Sequence, residues 1–134
     1  MNDQWTAWKM EGVPVDRPTV RFDGIWINKL GSEMSISVEG NTLSGSYRTA
    51  VGAPGHYENF PLIGFVNGDL IGFVVDWGKY GSMTSWAGQY TNADDNTGER
   101  IETMWYLVNN VAEKDEPDGP WNATLSGSNV FTRK

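Results

Sequence analysis

From Phe22 onward the chain is cut into short runs in which large and small side chains alternate, and Gly, Asn and Pro punctuate the breaks between them. Period-two alternation puts successive side chains on opposite faces of a strand. "FDGIWINK" places Gly24, Trp26 and Asn28 on one face, and "EMSISVE" places Met34, Ile36 and Val38 there. "EGNT" closes a turn, and "TLSGSYRTAV" then aligns Leu43, Gly45, Tyr47, Thr49 and Val51. "PLIGFV" and "DLIGFVVDW" flank Asn67-Gly68, a two-residue hairpin signal because both positions tolerate positive φ. "GSMTSWAGQY" sends Ser82, Thr84 and Trp86 to one side, "RIETMWYLV" sends Ile101, Thr103, Trp105 and Leu107, and "WNATLSGSNVFTR" sends Leu125, Gly127, Asn129 and Phe131. Helical periodicity is almost absent. About eight sequential strands with short connections predict an all-β chain whose sheet closes on itself, since closure removes exposed edges. The expected fold is an eight-stranded antiparallel up-and-down β-barrel, wide enough for one small ligand.

The chain has 134 residues, which suits one domain with a real core. Residues 1–20 stand apart: "VPVDRP" carries prolines and little alternation, so they read as a poorly ordered or surface-docked arm, with the barrel domain over 21–134. Trp5 and Trp8 are unusual in such an arm; they pack on the outside of the body, touch another subunit or cover a pocket mouth. The net charge of −7 argues against a nucleic-acid backbone or an anionic membrane as partner. Cysteine is absent, which removes disulfides, thiol nucleophiles and thiolate metal sites. No run approaches a membrane span, and the first residues lack the basic start and apolar core of a signal peptide.

The face predicted to point inward is chemically mixed. Trp26, Phe73, Trp77, Trp86 and Trp105 are aromatic; Asn28, Tyr47, Thr49, Ser82, Thr84 and Asn129 are polar, with Ser32 at a nearby turn. A buried polar group left unpaired costs roughly 1–3 kcal/mol, so a barrel filled only for stability would use Val, Ile and Leu here. Taken singly, each hydroxyl reads as backbone-bonded and each Trp as core. Taken together, neutral donors and acceptors beside flat aromatic walls suit a small, rigid, neutral polar head with an apolar body.

The segments "WINKLGS", "GSYRTAVG", "SMTSWAGQY", "TMWYLV" and "WNATLSGSNVFTR", in this order and at these spacings, resemble the avidin–streptavidin family of biotin-binding proteins. The resemblance covers roughly residues 22–133 and implies a non-catalytic biotin site with no cofactor and no metal. It implies that Asn28, Ser32 and Tyr47 donate to the ureido oxygen, that Thr49 and Asn129 accept from the ureido N–H groups, and that Thr84 meets the ring sulfur. Ser82 and the Ala53 backbone N–H would bind the valerate carboxylate. Trp77, Trp86 and Trp105 would wall the ring, with Leu30, Val51, Phe73 and Leu107 nearby. Trp121 would close the pocket of a neighbouring subunit, so a complete site implies a homo-oligomer. A tetramer is the family default; Ser126 and Ser128 beside Met104 at the smaller contact leave a dimer as the alternative. The resemblance also implies a secreted or extracellular protein.

The loop "GAPGHYENF" follows neither family prototype, and Asn129 stands where streptavidin has Asp, a weaker acceptor for an N–H. Other classes fit less well. His56 is the single histidine and sits in a loop, and the acidic residues Asp94, Asp95, Glu113 and Asp115 fall in turns, so no triad or carboxylate pair is apparent. A lipocalin-like carrier shares the Gly24-x-Trp26 start but has a greasier cavity. A carbohydrate module stacks sugars on an exposed face.

Overall fold

The computed structural model describes residues 12–15, 18–50, 58–93, 98–115 and 124–134. Eight strands follow one another: β1 (Gly24–Ile27), β2 (Glu33–Glu39), β3 (Thr42–Arg48), β4 (Phe60–Asn67), β5 (Leu70–Asp76), β6 (Ser82–Ala93), β7 (Gly98–Asn109) and β8 (Thr124–Arg133). Each pairs antiparallel with the next, and β8 returns to β1 through Arg133 opposite Trp26, so the sheet is a closed barrel. Two short 3-10 turns, Gly78–Tyr80 and Glu113–Asp115, are the helical elements among the described residues.

Alternation works as expected on most strands. Phe60, Leu62, Gly64 and Val66 of β4 are buried and Pro61, Ile63, Phe65 and Asn67 are exposed. One turn differs by a residue from the expectation. Asn67 pairs with Leu70, so the β4–β5 loop is Gly68-Asp69, with Gly68 at φ +58°, and Asn67 ends the strand. A one-residue slip would have turned the β4 or β5 core face outward, so burial of Val66 and Ile71 sets the register. The barrel also needs tight strand coiling. A Cβ at Gly45, Gly64 or Gly88 would lie 1.9, 1.9 and 2.0 Å from a carbonyl oxygen of the adjacent strand, so only glycine permits these approaches.

The core divides along the barrel axis. Around the start of β1, Phe22, Trp26, Ile101 and Phe131 are fully buried. The Trp26 indole donates to the Phe22 carbonyl at 2.8 Å, and the Arg133 guanidinium lies 4.3 Å from the Trp26 ring centre. Arg133 also donates to the carbonyls of Asp23 and Arg21 and to Glu99, and the Tyr90 hydroxyl donates to the second Glu99 oxygen. The described part of the amino-terminal arm covers this end: Val20 donates to the Gly68 carbonyl and Thr19 accepts from the Gly68 N–H. This is the closed end. The opposite end, where β1 runs into the turn at Asn28, is open among the described residues.

Candidate ligand-binding site

Inside the open end is a cavity of about 140 Å³ lined by Asn28, Leu30, Ser32, Tyr47, Thr49, Thr84, Trp86, Trp105, Leu107 and Asn129. None of these residues carries a charge. The strand register assembles them: Trp86 of β6 faces Phe73 of β5 and Trp105 of β7, and Thr84 faces Leu107.

The aromatic wall is layered. Phe73 stacks behind Trp86 at 5.0 Å and 17°, and Tyr47 lies 5.0 Å from Trp86 on another side. Trp77 meets Tyr47 edge-on at 5.6 Å. These contacts hold the rings in place before any ligand arrives, which lowers the ordering cost of binding. Trp105 is half-buried, and its ring rests on Gly127: a Cβ there would lie 2.5 Å from the ring.

The polar groups are oriented by their neighbours. Asn28 Oδ1 accepts from the backbone N–H of Leu30 at 3.1 Å and of Ser32 at 3.0 Å, which leaves its amide N–H₂ as the donor. Ser32 Oγ accepts from the Ala50 N–H at 2.9 Å, and its hydroxyl hydrogen-bonds to Tyr47. That chain runs Ala50 N–H to Ser32 to Tyr47, and each bond polarises the next. Burial pushes the Tyr47 hydroxyl up to about 12, against the opposing pull of Ser32, so Tyr47 stays protonated and able to donate. Across the cavity, Asn129 Oδ1 accepts from the Trp86 indole at 3.1 Å and keeps a second lone pair. The Trp77 indole donates to Thr84 Oγ1 at 2.8 Å, so the Thr84 proton is the group left to point elsewhere. The site thus has donors on the β1–β3 side and an acceptor on the β8 side.

Not every predicted residue lines this cavity. Phe73 and Trp77 stand behind it as supports for Trp86 and Thr84. Leu30 is 61% exposed at the rim. Ser82 lies in a separate cleft with Asp76, Gly81 and Asn109. Val51, Ala53 and Trp121 lie outside the described residues, as do Trp5, Trp8 and His56. Two positioning residues escaped the candidate set. Gly127 gives Trp105 its seat, and buried Thr103 donates to the Asn129 carbonyl at 3.0 Å. Both were visible as inward-facing residues; their roles depend on register, which pairs Thr103 with Asn129 and Trp105 with Gly127. Among the described residues no cluster of His, Cys, Asp or Glu could hold a metal ion.

A closed eight-stranded barrel with a neutral, aromatic-walled cavity at one end defines a small-molecule binding protein of the up-and-down barrel class. The Avidin family model matches residues 17–134, and the chain belongs to that family. It is 35% identical to avidin of Gallus gallus over 119 residues, 82% of this chain and 76% of that protein. Among solved structures, a biotin binding protein from chicken shares 37% identity at a TM-score of 0.72, covering 84% of this chain and 94% of that one. The rhizavidin–biotin complex shares 28% identity at a TM-score of 0.70, covering 88% of this chain and 97% of that one. As an avidin-family member the chain is a non-enzymatic binding protein that needs no cofactor.

Proposed function

We propose that this protein binds biotin in the open-end cavity, with the ureido group spanning the donor and acceptor sides. The observation that carries this reading is the division of the cavity. Asn28 and Tyr47 present donors where a carbonyl oxygen would sit, and Asn129 presents an acceptor where an N–H would sit. A cyclic urea has that pattern, and polarising its oxygen strengthens its N–H groups as donors. A cavity of about 150 Å³ accommodates benzene in a model system, so 140 Å³ suits a ring-sized head. The aromatic walls would remove its apolar faces from water. Thr49 serves as the second acceptor, Thr84 meets the sulfur, and Leu107 packs on the ring. Phe73 and Trp77 back the walls from behind Trp86 and Thr84, Val51 adjoins the ring, and the carboxylate tail runs out past Leu30 to the Ala53 N–H and to Ser82 in its neighbouring cleft.

Trp121 of the partner subunit closes the site, so the binding unit is a homo-oligomer. Outward-facing Ile63, Phe65, Val74 and Tyr106 supply apolar surface for that assembly. Whether two or four subunits gather turns on the face around Met104.

Calorimetric titration with biotin, on protein of measured mass, tests the reading. The expected result is one biotin per chain with favourable enthalpy. Folded, oligomeric protein that gives no heat and no shift in melting with biotin overturns it. Trp121→Lys separates the shared-pocket part: it should weaken both binding and assembly, and parental affinity would show the pocket to be complete within one chain.

A further inference from the structure

The sequence carries a single Asn-Gly step, Asn67-Gly68, and the fold puts it at the β4–β5 turn of the closed end. Asn67 is exposed as the last residue of β4, and Gly68 follows at φ +58°. This pair has a chemistry of its own. The backbone nitrogen of the residue after an asparagine can attack the side-chain amide, and glycine hinders that attack least because it has no side chain. What matters is how the nucleophile is held. The Gly68 N–H donates to Thr19 Oγ1 at 3.1 Å, and the Gly68 carbonyl accepts from the Val20 N–H at 3.0 Å. Val15 covers the same residue so closely that an added Cβ would lie 2.5 Å from its side chain. The described part of the arm therefore clasps both polar groups of the residue that supplies the nucleophile.

We propose that Asn67-Gly68 is a site of self-modification, converting to aspartate and isoaspartate with water as the co-reactant, and that Thr19 restrains it. In the first step the Gly68 nitrogen bonds to Asn67 Cγ. The Cγ–Nδ2 bond breaks, and ammonia leaves with the proton from the Gly68 N–H. The product is a cyclic imide. Water then adds to one of its two carbonyls: opening at the side-chain carbonyl gives aspartate, and opening at the main-chain carbonyl gives isoaspartate. While the Gly68 nitrogen donates to Thr19 and Asn67 sits in the ladder opposite Leu70, the nitrogen is not free to turn towards Cγ. The reaction draws on the fraction of molecules in which this clasp is open. Conversion runs one way. Isoaspartate routes the main chain through an extra methylene, which takes Gly68 out of register with Thr19 and Val20. Either product also sets a new carboxylate beside Asp69, in a chain already at −7. The modification thus releases the arm from the closed end.

The test incubates the full-length parent, Thr19→Val and Thr19→Ser side by side in mildly alkaline buffer. Aspartate and isoaspartate at position 67 are counted by peptide mass spectrometry with electron-transfer fragmentation. Thr19→Val removes the acceptor and keeps the shape, so it should convert about two- to tenfold faster than the parent, the weight of one hydrogen bond in an opening equilibrium. Thr19→Ser keeps the oxygen and should convert at the parental rate. Val15→Ala, which uncovers Gly68, replaces Thr19→Val if that variant does not fold. In converted chains the Val20 amide should exchange with deuterium faster, and unchanged exchange there would overturn release of the arm. Equal rates in the parent and Thr19→Val overturn the restraint. Absence of conversion at position 67 in both, while the urea-unfolded chain converts, overturns the site. Faster conversion matched by faster exchange at fully buried Ile101 also overturns the restraint, because the gain would then come from global unfolding.

Discussion

At the closed end, Arg133 binds two backbone carbonyls and Glu99, Tyr90 takes the remaining Glu99 oxygen, and the Trp26 indole is bonded to Phe22. At the open end, Asn28 is oriented by two backbone N–H groups and Tyr47, Thr84 and Asn129 by one side chain each, and all four keep a donor or acceptor in hand. Both ends combine buried aromatics with polar groups, yet the polar groups are satisfied differently. Charged groups bonded to backbone carbonyls and to one another close a structure. Neutral groups anchored on one side form a template for something else. The difference distinguishes a structural polar cluster from a binding site when aromatic content does not.

The comparison breaks most visibly at Trp26. Truncating this fully buried ring to Ala should cost about 3–5 kcal/mol of stability, read as a lower urea midpoint. The folded fraction should keep parental biotin affinity; a matching loss of affinity would show that the two ends are not separable. Gly127→Ala acts on the other end. Its new Cβ, 2.5 Å from the Trp105 ring, must push the indole aside, at about 1–3 kcal/mol. Weakened biotin binding with a changed tryptophan emission is the expected result, and unchanged affinity would remove Trp105 from the wall.

Acid and alkali should act on different ends. The Arg133 guanidinium, followed by the Tyr90 hydroxyl, holds Glu99 below the usual carboxylate range. A lowered folded-state pKa gives stability that is present above the unfolded pKa and lost as pH falls through the folded one. Tyr47 has the opposite sign: its pKa is raised to about 12, so its contribution is present below about pH 10 and is lost as pH rises towards the folded value. Tyr90 is raised by burial and Glu99, and Tyr80 chiefly by its bond to Glu58. The Tyr47 part is therefore the difference between the parent and Tyr47→Phe. Urea midpoints across pH should show Glu99→Gln losing part of the acid slope and Tyr47→Phe losing part of the alkaline one. Biotin affinity should stay flat between about pH 5 and 9, because no described lining residue titrates there. At neutral pH the smallest effect belongs to Glu99→Gln: its ion pair is partly exposed, and after solvent screening it is worth about 0.5 kcal/mol. A loss several times larger would mean that Glu99 and its two partners, Arg133 and Tyr90, hold the closed end together rather than decorate its surface.

Strand count, barrel closure and most inward residues were legible because alternation is a local signal that closure does not alter. The residues gathered around the cavity were legible for the same reason, sharpened by the family resemblance. The β4–β5 turn was misplaced by one residue because Asn-Gly chemistry competes with burial of Val66 and Ile71, and the core wins. Gly127 and Thr103 were seen as inward but not as supports for Trp105 and Asn129, since cross-strand register is not written in either strand alone. Ser82 shares the face of Thr84, yet it sits at the strand's end, in a cleft with Asn109.

The account rests on the claim that the open-end polar groups serve a ligand and not the fold. Unfolding midpoints of the parent and Tyr47→Phe, each with and without saturating biotin, test it most directly. At neutral pH, without biotin, the two should lie within about 1 kcal/mol. With biotin the gap should widen by about 1–3 kcal/mol, because ligand stabilises the fold in proportion to its affinity. An equally large gap in both conditions would place Tyr47 among the structural groups of the closed end and contradict the division drawn here.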